Sequence, residues 1–175
     1  MKPGDLIAFQ GKGFISSIIR LRTWCRITHV GGVHKITHAL SSWARVDVIE
    51  STSLYGKAGV QLNHLSKHLD EYPGSMWWYP LSREARAWFD EEAYLAFCEE
   101  TMGRPYDYRG ALGSAVDWWD RLCLNPRNLE ALFCSEHYAA ALQIAGVLDT
   151  RRNASEMTPK DIIKLPFFTC PTRIK

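Results

Sequence analysis

The chain predicts an α+β fold, a small antiparallel sheet with helices packed against it, and three observations carry that reading. Runs at 5–9, 28–36 and 45–51 are rich in β-branched residues or alternate apolar with polar ones, the period of a strand. From residue 82 onward apolar side chains recur at helical spacing, as in Ala85, Phe89, Ala93, Ala96 and Phe97, and again in Tyr138, Ala141, Leu142 and Ala145. At 175 residues, without an internal repeat, a low-complexity segment or a linker, the chain has the length of one domain with a sizeable core. Residues 1–175 are therefore read as a single domain.

Taken in order, Pro3-Gly4 precedes Asp5-Leu6-Ile7-Ala8-Phe9, a short buried strand. Segment 14–26 mixes Phe14, Ile15, Ile18 and Ile19 with Arg20, Arg22 and Arg26, which suits an amphipathic helix and offers a basic face for peripheral membrane contact. Runs 28–36 and 45–51 form a hairpin around Ser41-Ser42. Pairing His34 with Arg45 sets His29 opposite Glu50, and opposed residues share one face of a sheet. Gly59-Val60-Gln61-Leu62 starts another strand, 63–69 makes a helical turn, and 75–81 reads as an aromatic strand. Ser82 offers an N-cap to one helix over about 83–102, which Gly103 ends. Beyond Arg104-Pro105-Tyr106-Asp107-Tyr108, the residues Leu112, Ala115, Val116, Trp119 and Leu122 mark a further helix, broken by Asn125-Pro126-Arg127-Asn128. A helix opening at Cys134 runs to Gly146, and Thr158-Pro159 caps a turn ahead of an apolar tail through Phe167-Phe168.

Bulk composition narrows the function classes. Twenty-one basic against 19 acidic side chains give a net charge of +2, too weak to indicate a nucleic-acid partner. The aromatic residues gather around Met76-Trp77-Trp78-Tyr79 and Trp118-Trp119, clusters that mostly build cores and in a minority of cases line a groove. Cys25, Cys98, Cys123, Cys134 and Cys170 are odd in number and lack a C-x-x-C pair, so they read as reduced thiols. The N-terminus has no apolar signal core, and no stretch approaches the roughly 18 apolar residues of a membrane span. A cytoplasmic location is expected, with delivery by a phage or an export machine as the other route.

The chemistry centres on Cys134. A thiol in the first turn of a helix meets outward-pointing N–H groups and the positive end of the helix dipole, which favour thiolate over thiol. A thiolate nucleophile needs a base, and the base needs a third group to fix its ring. His29 at the head of one strand and Glu50 on its neighbour fit those two roles, while N–H groups at the start of the Cys134 helix would hold an oxyanion, beside Ser135.

The order Gly4-Asp5-Leu6, Thr28-His29-Val30-Gly31, Val48-Ile49-Glu50-Ser51 and, at the far end, Phe133-Cys134-Ser135-Glu136 resembles the circularly permuted papain-like amidases of the YiiX type, relatives of the NlpC-type cysteine peptidases. In unpermuted relatives the cysteine helix precedes the histidine strands. Gly103-Arg104-Pro105-Tyr106 is similar to the Gly-x-Pro-Tyr stretch of NlpC-type enzymes. The resemblance implies a permuted papain-like fold with the nucleophile at a helix start. It implies Cys134 as nucleophile, His29 as base and Glu50 as orienting group, with Tyr106 and Ser135 on the substrate. Gly32, and His137-Tyr138 after Cys-Ser-Glu, stand where aliphatic residues are usual.

The expected activity is a cysteine amidase or peptidase acting through an acyl-enzyme on a peptide or a peptidoglycan stem. The alternatives are a lipid-directed thiol acyltransferase or esterase, like the lecithin:retinol acyltransferase group, and a non-catalytic groove-binding module. No cofactor, metal or nucleic acid is expected, and oligomeric state is left open. Other side chains compete for roles. His38 resembles the third residue of NlpC-type enzymes but falls in the hairpin loop, His34 is read as a surface residue, and His137 is read as pointing away from Cys134. Asp5 is assigned no more than a turn. His64 and His68 stand four apart, as zinc ligands on a helix can, but neither the metalloprotease glutamate nor a cysteine pair accompanies them.

Overall fold

Alternation in the strand runs becomes a six-stranded sheet. The computed structural model describes residues 1–12, 14–38, 44–105 and 134–175. Its strands are β1 (Leu6–Gln10), β2 (His29–His38), β3 (Ala44–Thr52), β4 (Gly59–His64), β5 (Ser75–Tyr79) and β6 (Thr172–Arg173). They lie in the order β4-β3-β2-β1-β5-β6, each antiparallel to its neighbours. The described helices are α1 (Phe14–Thr23), α2 (Leu65–Glu71), α3 (Arg83–Trp88), α4 (Glu91–Thr101), α5 (Cys134–Ile144) and α6 (Pro159–Ile163). The helix expected over 112–122 and Tyr106 lie outside the described residues.

The two-residue period sorts each strand onto two cores. Ile7 and Phe9 pack with Val33, Val48, Leu65 and Met76 on one side. Leu6, Ala8 and Val30 pack with Cys134, Tyr138, Ala139 and Leu142 on the other. Gly32 lets the helices approach this second side: a Cβ there would fall 2.2 Å from the Tyr94 hydroxyl and 3.0 Å from the Tyr138 ring. The glycine that departs from the aliphatic pattern is thus the space that two tyrosines fill.

Three expectations are corrected by packing. The single helix over 83–102 is two, because Asp90 caps α4 through Ala93 N at 2.9 Å while its own N–H donates to the Ala145 carbonyl at 3.0 Å. A tertiary contact with α5 therefore overrides the continuous helical periodicity. His34 is buried at 6% exposure, since a β-bulge interrupts the pairing between Val33 and Lys35. The extra residue keeps Val33 and Ile36 in the same core despite their odd spacing and turns His34 inward. Asp5, assigned only a turn, is 2% exposed and accepts from Lys2 N at 2.8 Å, Trp78 Nε1 at 2.9 Å and Leu81 N at 3.0 Å, besides its ion pair with Arg86.

Candidate functional site

The hairpin and the start of α5 bring together residues far apart in the chain. The expected register, His29 opposite Glu50, is two residues out: Gly32 pairs with Ile49 and Val33 with Val48. Carried back, this sets Gly31 beside Glu50, where a Cβ would lie 3.1 Å from Glu50 Cβ. An even shift leaves every side chain on its own face. His29 consequently still reaches Glu50, diagonally, and its Nε2 contacts Glu50 Oε2.

Glu50 is 1% exposed, yet both of its oxygens are engaged. Oε1 accepts from Asn63 Nδ2 at 2.8 Å and lies 2.7 Å from His68 Nε2. His68 Nδ1 in turn meets the Tyr55 hydroxyl at 2.9 Å. Phe9 walls this network, its ring 5.0 Å from that of His29 and 5.1 Å from that of His68. The carboxylate is held far below its ordinary range, to about 2: burial works against its charge, but hydrogen bonds from His29 and His68 and their positive charges outweigh it.

Cys134 opens α5 at 1% exposure, and its side chain lies close enough to His29 to act on the protonation of that ring. Burial alone would strip the imidazole of its proton. The charge and hydrogen bond of Cys134, followed by those of Glu50, reverse this and raise His29 to about 10. The imidazolium lies between two acidic groups, sulfur on one side and carboxylate on the other. Burial and the Glu50 charge also push Tyr55 up to about 12 and Tyr72 further in the same direction. Ser135 is fully buried, and its Oγ finds no hydrogen-bond partner among the described residues.

Other candidates lie apart. His137 turns toward α4, where Nε2 meets Thr101 Oγ1 at 2.9 Å and the ring stacks on Phe97 at 5.5 Å. Burial, followed by the nearby Arg104 charge, lowers it to about 4. His64 and His68 do not share a helical face, because α2 starts at Leu65: His64 Nδ1 pairs with Asp47 at 2.5 Å, whereas His68 points into the core. His68 and Asn63 are members of the network that the sequence reading missed. Extending the run at Gly59 one residue past Leu62 would have put Asn63 on the Glu50 face, since Val48 pairs with Asn63.

No protein-family model matches the chain, and no curated protein matches it. Among solved structures the chain is similar to the metalloprotein yiiX from Escherichia coli O157:H7, with a TM-score of 0.63 and 15% identity over 99% of this chain and 96% of that one. The two share a fold over their full lengths, an α+β arrangement with a small antiparallel sheet packed against helices. This finding corrects the expectation of a cysteine amidase or peptidase with a catalytic triad. The solved protein that carries the fold is described as a metalloprotein, and the expectation of a thiol protease is corrected accordingly.

A metal finds few donors here. Glu50 has both oxygens engaged, His68 its Nδ1 and His29 its Nε2, while His68 Nε2 lies 2.7 Å from Glu50 Oε1 without a hydrogen bond of good geometry. Among the described residues no group of three His, Cys, Asp or Glu side chains is placed to hold an ion, and three protein donors is the usual minimum for zinc. The described donor set therefore does not fit a resident metal.

Proposed function

We propose that the chain is a reactive-thiol protein, in which Cys134 and His29 form a thiolate-imidazolium pair that bonds a soft electrophile. The observation that carries this is the position of His29, beside the Cys134 side chain and backed by the buried Glu50 carboxylate that its Nε2 contacts. A positive ring beside the sulfur favours its charged form, the nucleophilic one. In attack on a disulfide, for example, the sulfur lone pair forms the new S–S bond, the old S–S bond breaks, and the leaving sulfur takes the His29 proton. Glu50 keeps the ring oriented and charged until that transfer, and His68 and Asn63 hold Glu50 in place. Ser135, with its spare hydroxyl, and Tyr106 are assigned to the bound group. The finer fold reading belongs to the same proposal: one domain over 1–175, permuted relative to the NlpC arrangement, supported by the chain order and the likeness to yiiX.

The test is alkylation of Cys134 by iodoacetamide at neutral pH, followed by peptide mass spectrometry. Cys134 should label at least about tenfold faster than Cys98, another buried thiol, and His29→Gln should remove most of that advantage. Equal labelling of the two thiols, or an unchanged rate in His29→Gln, refutes the pair.

A further inference from the structure

The connection from α1 into β2 exposes side chains that a globular surface usually covers. Trp24 is 88% exposed and Leu21 78%. Trp24 also holds a left-handed backbone, φ 50°, a region that bulky residues avoid. Large apolar side chains presented together in this way mark an interaction surface more often than an isolated exposed leucine does.

Charge identifies the partner. Residues 6–46 contain six Lys or Arg and neither Asp nor Glu, so with a net charge of +2 overall the remainder of the chain carries −4. Four of the six, Lys12, Arg20, Arg22 and Arg26, flank Leu21 and Trp24 in sequence, and Lys12 and Arg26 are exposed. Lys160 in α6 brings another ammonium to the same end of α1, donating to the Thr23 carbonyl at 2.7 Å. Among the described residues no helix is long and apolar enough to cross a bilayer, which leaves the interface as the depth such a surface can reach.

We propose that the face made by Leu21 and Trp24, with Arg20, Arg26 and Lys160 at the same end of α1, docks on an anionic phospholipid surface. Tryptophan settles at headgroup level, its ring in the apolar boundary and its N–H in the wet layer. Each nearby Lys or Arg strengthens attraction to an anionic leaflet about fivefold. The left-handed turn at Trp24 holds the indole outward, clear of the core. This proposal stands independently of the thiol reading.

Co-sedimentation with vesicles of phosphatidylcholine, with and without phosphatidylserine, tests it. Binding to the serine-containing vesicles should be at least about tenfold tighter and should weaken with added salt. Trp24→Gly should lower vesicle binding about tenfold while the far-UV circular dichroism and melting temperature hold or improve, because glycine accepts the positive φ without strain. Arg26→Glu should lower binding further. Equal partition onto both vesicle types, or unchanged binding by Trp24→Gly, overturns the proposal. So does retention on RNA, or concentration-dependent self-association, in place of vesicle binding. The rate of Cys134 alkylation at neutral pH reads the thiol proposal separately in the same variants.

Discussion

Replacing His29 with glutamine leaves Glu50 buried without the imidazolium that its Oε2 contacts. Breaking a buried ion pair from one side costs about 3 kcal/mol or more, so urea denaturation at neutral pH should show a loss of that size. The titrating groups set opposite limits on stability. The His29 pKa is raised on folding, so its contribution is full below about 6.5 and is lost as pH rises through about 10. The Glu50 pKa is depressed, so its contribution is full above about 4.5 and is lost as pH falls through about 2. His137 is kept neutral, and its contribution fades as pH falls from about 6.5 through about 4. Denaturation curves collected across that range should therefore weaken at both ends, and His137→Gln should flatten the decline between pH 6.5 and pH 4. His34 behaves differently: both ring nitrogens are buried without a hydrogen-bond partner among the described residues, and burial holds the ring neutral. His34→Leu removes that unmet demand and should raise stability by about 1 kcal/mol, read as a higher urea midpoint.

At the level of elements, glycine 32 fixes how closely α4 and α5 sit on the sheet. Gly32→Ala drives a methyl into the Tyr94 hydroxyl, whose hydrogen bond to the Val33 carbonyl is 3.2 Å, and should cost about 2 kcal/mol. Tyr94→Phe in the same background should recover part of that loss, and a double-mutant cycle measures the coupling. What the sequence revealed follows the same scale. Strand identity was legible from alternation and the start of α5 from its apolar spacing, because local patterns encode both. Register was not, since the bulge at His34 is a response to two cores that need Val33 and Ile36 together. The acid-imidazole contact survived that error only because the shift was even. The break between α3 and α4 was hidden for a similar reason: the Asp90 cap is local, but the Ala145 carbonyl that anchors it lies 55 residues away. His68 was overlooked because HxxxH spacing suggests one helical face, and the helix begins one residue too late for His64 to share it.

Across the whole molecule, Asp5 ties the first residues to the aromatic strand and to α3, accepting from Trp78 and Leu81 and pairing with Arg86. Asp5→Ala strands three N–H donors and removes the Arg86 counter-ion, and the expected loss is about 3 kcal/mol, visible as a lower melting temperature. Tyr138, one turn beyond Cys134, adds a second long tie by donating to the Gly4 carbonyl at 2.7 Å. These contacts tie the Cys134 helix to the start of the chain. The chain order has a further effect during synthesis. The hairpin bearing His29 and Glu50 leaves the ribosome 84 residues before Cys134 does. A nascent chain interrupted anywhere in that interval holds His29 and Glu50 but lacks Cys134, so the three side chains can meet only in chains that extend past residue 134.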